Sequence, residues 1–172
     1  MSMSGKSLLV KLSLPQLIRA GVPIIAYSNT DDADYMKRGI RFTRSPDAFE
    51  NMLKNQRGKP AFIIIDEAPS IFYQTTSASH PLIHGLSASG RHEGWSVRFI
   101  SQSPTKIPPF TRDNLHALDV FRIQNETQAK AIISDRSIAK HYAETIRQLP
   151  PLHYLQIRPM AEPQIKRLIL PR

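Results

Sequence analysis

The run from Ala61 to Glu67 (AFIIIDE), set between Lys59-Pro60 and Ala68-Pro69, constrains this fold more than any other part of the chain. Its apolar part is continuous rather than alternating, so both faces need cover. A strand buried on both faces belongs to a parallel sheet flanked by helices. Asp66 and Glu67 close the run, which puts two adjacent carboxylates at the carboxyl end of the sheet, where open α/β sheets bind ligands. Strand alternation is expected to point the two in different directions. One can then hold the water shell of a Mg²⁺ ion while the other polarises an attacking water. The plainer alternative is a buried strand that ends in two solvated acids.

The other segments alternate between helical and strand patterns. Leu8, Leu9, Leu12, Leu14, Leu17 and Ile18 give a helix over 7–20, with Pro15 inside it and Gly21 as its stop. VPIIAY (22–27) reads as a second buried strand and 40–43 as a short one. Ser45 is placed to cap a helix over 46–56. The polar stretch 74–94 reads as a loop or short helical insertion. WSVRFISQ (95–102) is a strand with Gln102 at its tip, 104–109 a turn and 111–116 a short helix. Residues 117–123 form another strand, and Asn125 and Ser137 start two further helices. Residues 152–157 and 164–170, separated by a turn carrying Pro159 and Pro163, form a terminal β-hairpin. The expected class is a three-layer α/β/α domain with a mostly parallel sheet, spanning 1–172 without a visible boundary.

Near its start the chain carries Gly5-Lys6-Ser7, the second half of a G-x-x-x-x-G-K-[ST] loop. In the complete loop, backbone N–H groups wrap a phosphate, the lysine reaches the terminal phosphates and the hydroxyl ligates Mg²⁺. The first glycine would stand one residue before Met1, and the strand that feeds the loop would precede it. Without that strand its neighbours would keep unpaired backbone groups, each costing about 1–3 kcal/mol if kept dry. The expectation is therefore a native chain with more residues upstream. By itself the tripeptide equally describes an ordinary helix N-terminus with an exposed lysine.

The formal charge is +9, with 23 lysines and arginines spread along 172 residues, and favours an anionic partner, nucleic acid ahead of an anionic membrane surface. There is no cysteine, which excludes a disulfide framework and a cysteine-based metal site. No stretch reaches the length of a membrane span and no signal-peptide core is visible, so a soluble protein in a reducing compartment is expected. His80, His84 and His92 follow no metal-ligand spacing and are read as loop histidines. Asp31 and Asp32 are read as solvated turn acids, and Trp95 and Phe99 as core residues.

Taken in order, Gly5-Lys6-Ser7, the strand ending Asp66-Glu67 and the strand ending Ser101-Gln102 resemble the FtsK–HerA superfamily of P-loop motor ATPases. The stretch GRHEGWSVRFISQSPTKIPPFTRDN (90–114) resembles the segment in which these proteins place an arginine before the sensor strand and a glutamine after it. Within the superfamily the chain is most similar to genome-packaging ATPases of tailless, membrane-containing phages, and Zot-like assembly ATPases of filamentous phages come close. The resemblance covers most of the chain from Ser4 to about Ile133; the absent first glycine is its departure.

That resemblance implies ATP and Mg²⁺. It implies a nucleotide cradle of Ser4, Gly5, Lys6, Ser7 and Leu8, with Lys6 on the β- and γ-phosphates. Ser7 and Asp66 would serve the metal, Glu67 would activate water, and Gln102 would sense the γ-phosphate. Arg91, with Arg112 in reserve, would be an arginine finger given to a neighbouring subunit. The implied partners are double-stranded DNA held through its phosphates, further copies in a ring such as a hexamer, and a viral capsid or membrane vertex. The implied location is the host cytoplasm or the virion. Three functions follow: a DNA translocase that packages a viral genome, a phage assembly or extrusion ATPase, and a basic DNA-binding protein with a decayed loop. For Gln102 a loop hydrogen bond, and for either arginine a solvated surface position, are the plainer accounts.

Overall fold

The computed structural model describes residues 5–170. Two helices, α1 (Gly5–Lys11) and α2 (Leu14–Arg19), precede β1 (Ile24–Tyr27) and β2 (Ile40–Thr43). Then come α3 (Pro46–Lys54), β3 (Ala61–Ile65), α4 (Ala68–Gln74), α5 (Pro81–Ser89) and β4 (Trp95–Phe99). After a 3₁₀ turn at Pro104–Lys106 follow α6 (Pro109–Asp113), β5 (Leu118–Phe121), α7 (Glu126–Asp135), α8 (Tyr142–Gln148), β6 (His153–Ile157) and β7 (Gln164–Arg167).

Four strands form a parallel sheet in the order β2-β1-β3-β4. Period-two alternation divides its side chains between two covers. Ile25, Tyr27, Ile63 and Ile65 face α3, α4 and α5, packing with Phe49, Leu53, Ile71, Ile83 and Leu86. Ile24, Ala26 and Ile64 face the other way, onto Val10 of α1, Leu14 of α2 and Tyr35. This is the expected three-layer α/β/α arrangement, with both strands of the sheet centre buried on both faces. The C-terminal part builds its own core: α7 and α8 pack on β5 and β6 through Ile132, Ile133, Ile146 and Leu155.

Several elements differ from the expectation. The helix over 7–20 is broken in two: the Ser13 hydroxyl donates to the Val10 carbonyl at 2.6 Å, and Pro15 opens α2 rather than kinking a continuous helix. The 95–102 strand ends at Phe99. The Ile100 N–H still donates to the Ile65 carbonyl and its carbonyl accepts from Ala68, but the chain then turns away, leaving Gln102 beyond the strand. Residues 68–74, most of which lie before the polar stretch and carry no expected element, form α4. The helix expected from Ser137 starts only at Tyr142, because Ser137 adopts a left-handed φ of 52° that a helix cannot contain. Residues 118–121 are a strand as expected, yet they leave the parallel sheet and join the hairpin strands in a separate antiparallel sheet, β5-β6-β7.

Among the described residues β4 and β5 each keep one open edge. A cavity of about 910 Å³ lies against both strands, lined by Val97 and Phe99 of β4, Val120 of β5 and Leu9 of α1.

Helix α5 is held through its first turn by a single buried carboxylate. Glu50 of α3, 2 % exposed, accepts from the N–H groups of Leu82 and Ile83 at 3.1 and 3.0 Å, so a charge satisfies two donors that a helix start leaves free. Glu50→Ala strands both N–H groups and is expected to lower stability by about 2–4 kcal/mol, read as a lower urea midpoint at unchanged m-value. An unchanged midpoint would mean that α5 is held by its apolar face alone.

Candidate functional site

Three segments far apart in sequence meet at the carboxyl end of the parallel sheet. The Asp66 N–H donates to the Tyr27 carbonyl at 2.9 Å, extending the ladder one residue past β3 and fixing where its carboxylate emerges. Helix α1 brings Ser7, whose hydroxyl donates to Asp66 Oδ1 at 3.3 Å across 59 residues of sequence. The turn after β1 brings Tyr35, whose hydroxyl donates to Asp66 Oδ2 at 3.0 Å. The Glu67 N–H donates to Asp66 Oδ1 at 3.0 Å. Both oxygens of this half-buried carboxylate are thus engaged, from three elements.

Glu67 stands at φ 54°, ψ 54°, the left-handed region, immediately before α4. Glu67 therefore lies in a turn, outside the strand alternation expected to part the two acids, since β3 has ended at Ile65. A non-glycine residue held there carries about 1–2 kcal/mol of backbone strain. The Glu67 carbonyl accepts from Ser70 and the Ala68 N–H donates to Ile100, so both neighbours of the strained bond are pinned.

Lys6 lies close enough to feel both acids. Burial holds its amine below the usual lysine value, while the charges of Glu67 and Asp66 pull it back up. Gly5 packs beneath Phe121: a Cβ added there would meet the ring at 2.5 Å, so in this arrangement the glycine is required by contact with β5. Leu8 is half-buried on α1, its carbonyl accepting from Leu12. Ser4 lies outside the described residues. Gln102 is exposed and lines the cavity against β4 and β5 together with Lys6.

The structure does not bring Arg91 to this group. It is exposed and precedes β4, at the amino end of the sheet, whereas Asp66 and Ser7 lie at the carboxyl end. The five residues of β4 separate the two ends by about 16 Å. Arg112 pairs with Asp135 within the chain, which engages its charge. Of the three histidines expected in a loop, His92 lies in the turn before β4 and the other two do not. His80 and His84 lie at the start of and within α5, not in a loop: His80 Nε2 lies 3.0 Å from Asp47 and His84 Nε2 lies 2.9 Å from the Thr75 hydroxyl. Asp32 is likewise no solvated acid, because Lys11 reaches it at 2.5 Å. Tyr35 was not visible as a site residue from sequence. The available signal was a phenol immediately after the acids Asp31, Asp32 and Asp34, in the turn that follows a buried strand.

A Mg²⁺ ion fits this donor set. Ser7 and Asp66 offer hard oxygen atoms at one spot, and among the described residues no group of three or more His, Asp or Glu could hold a metal by itself. An ion here would complete its six places with phosphate oxygens and water, as Mg²⁺ sites built on one carboxylate do.

Because asparagine tolerates the left-handed region better than glutamate, Glu67→Asn is expected to leave stability unchanged or raise it by up to about 1 kcal/mol in urea unfolding. A loss of more than this would place native contacts on the Glu67 side chain that outweigh the strain.

Comparison with solved structures gives the fold a name. The chain is similar to the genome-packaging NTPase of Sulfolobus turreted icosahedral virus 2 in complex with ATP-gammaS, with a TM-score of 0.76 at 21 % identity over 98 % of this chain and 94 % of that one. The same protein in complex with AMPPCP gives a TM-score of 0.75 at 19 % identity, over the same shares. The DNA-packaging ATPase of Sulfolobus turreted icosahedral virus gives 0.74 at 19 %, over 96 % and 93 %. At these identities the likeness is one of fold, that of the P-loop NTPases. No curated protein matches the sequence. Among the described residues no helix is long and apolar enough to cross a membrane. Residues 4–145 match the model of the zonular occludens toxin (Zot) family, one of the two groups the motifs resemble, and the chain belongs to that family.

Proposed function

We propose that this protein is an Mg²⁺-dependent ATPase, a single P-loop domain whose hydrolysis drives movement of double-stranded DNA during packaging of a viral genome. The observation that carries the reading is the contact between Ser7 and Asp66: the glycine-lysine-serine segment and the acidic strand end, 59 residues apart, meet at hydrogen-bond distance. Support for the packaging role comes from the solved neighbours, which are packaging NTPases by name.

In this reading Gly5, Lys6, Ser7 and Leu8, with Ser4 before them, approach the phosphates at the start of α1, where backbone N–H groups are free. Lys6 sits in a partly desolvated position that weakens its hold on its own proton, and an arriving phosphate charge restores full protonation. Bound Mg²⁺ would supply charge neutralisation at the β- and γ-phosphates. Ser7 and Asp66 hold that side of the site. Glu67, at the left-handed turn that follows Asp66, takes a proton from the attacking water. Gln102 contacts the γ-phosphate, and Arg91 serves the site of an adjacent copy in a ring, such as a hexamer. The excess of basic residues grips DNA phosphates without reading sequence. The place of work is the host cytoplasm or the virion, at the capsid or a membrane vertex.

The family match favours a second reading, in which the same ATPase cycle serves phage assembly or extrusion. The two part on DNA dependence: a DNA motor's turnover rises with added double-stranded DNA and the rise fades with salt, whereas an assembly ATPase is indifferent to DNA.

Glu67→Gln keeps size and hydrogen bonding but removes the base. It is expected to lower ATP turnover by about 10²–10⁴-fold while ATP affinity by calorimetry stays near that of the unmodified chain. Unchanged turnover would remove this mechanism.

A further inference from the structure

We infer that Tyr35 is a positioning residue of this site: its phenol holds the Asp66 carboxylate in the one orientation that presents Oδ1 to Ser7. The inference rests on the ATPase reading above and deepens it. Tyr35 is fully buried, and its hydroxyl reaches Asp66 Oδ2 at 3.0 Å while Ser7 and the Glu67 N–H share Oδ1 at 3.3 and 3.0 Å. With Oδ2 tied to a buried donor, rotation of the carboxylate about its last bond would break that hydrogen bond and leave a buried hydroxyl without a partner, costing about 1–3 kcal/mol. Oδ1 is therefore the oxygen offered to the side of the site where the Ser7 hydroxyl lies.

Tyr35 is itself held. Its ring stacks on Phe42 at 6.3 Å between centroids, and its N–H donates to the Asp32 carbonyl at 3.0 Å. Lys11 lies 5.3 Å over the ring and bridges Asp32 and Asp34 at 2.5 and 3.4 Å, so the turn bearing Tyr35 is clamped onto α1. Lys11 stands four residues after Ser7, one helical turn along the same helix. Helix α1 thus acts on Asp66 twice, directly through Ser7 and through the turn by way of Lys11 and Tyr35.

The test is Tyr35→Phe, which keeps the ring and its stacking and removes only the hydroxyl, with Lys11→Met as a second variant acting through the turn. Each is loaded with ATP-gammaS, and Mn²⁺ affinity is read from the electron paramagnetic resonance signal of free Mn²⁺. Metal-free nucleotide affinity and Tm are measured alongside. Loss of a residue that orients a metal-bearing carboxylate typically weakens metal affinity about 10–100-fold. Tyr35→Phe is expected to weaken Mn²⁺ binding at the low end of that range, with metal-free nucleotide affinity within about twofold, and Lys11→Met to do the same more weakly. Wild-type Mn²⁺ affinity in Tyr35→Phe would overturn the inference and leave the ATPase reading standing. So would a parallel fall of nucleotide affinity and Tm, which marks a merely structural role. If the unmodified chain binds no Mn²⁺ with the nucleotide, the ATPase reading fails and takes the inference with it.

Discussion

Everything at the site depends on β3 being buried on both faces. Ile63 and Ile65 are enclosed by α3, α4 and α5, and Ile64 by α1 and α2, with no exposure at any of the three. Each such side chain is worth about 1.5–3 kcal/mol in burial alone, so the strand cannot slip by one residue without exchanging one cover for the other. That fixed register decides where the first charged residue can stand. Asp66 follows the last buried isoleucine and has to leave the sheet where the two helical layers part. The acids sit where they do because the isoleucines cannot be moved.

The Asp66 carboxylate is half-buried and receives three hydrogen bonds, from Ser7, Tyr35 and the Glu67 N–H. Next door, the burial of Lys6 works against its charge while Asp66 and Glu67 support it. Neither group is paired as tightly as a structural ion pair such as Lys11 with Asp32. An arriving phosphate with its counter-ion would find a lysine whose nearest charges are loosely matched and a carboxylate already aimed. The left-handed Glu67 adds strain at the adjoining residue, and the surrounding backbone bonds to Ile100 and Ser70 supply the support for it.

What could be read from sequence was whatever local chemistry dictates. The continuous apolar run of β3 announced a doubly covered strand; Ser45 and Asn125 cap α3 and α7 through side-chain bonds to Ala48 and Gln128, as their positions indicated. The rest depended on contacts between distant residues. Residues 118–121 have the pattern of any buried strand, and nothing local says that they pair with β6 instead of joining the parallel sheet. His80 looked like a loop residue because Pro81 follows it, yet that proline opens a helix whose start is held by Glu50, 32 residues earlier. Tyr35 is marked locally only by the acids before it, and its role comes from a hydrogen bond across 31 residues.

The position of Arg91 bears on assembly. A side chain of arginine reaches about 7 Å from its Cα, whereas Arg91 and the Asp66 carboxylate lie at opposite ends of a sheet whose strands span about 16 Å. Within one chain the two cannot touch the same phosphate. If both act on ATP, they act on different molecules of it, and each site is completed by a second copy of the chain. Arg112 offers no way around this, since its guanidinium is committed to Asp135. A monomer would then hold nucleotide with Lys6, Ser7 and Asp66 but without Arg91, and turnover per chain should rise with protein concentration as copies associate.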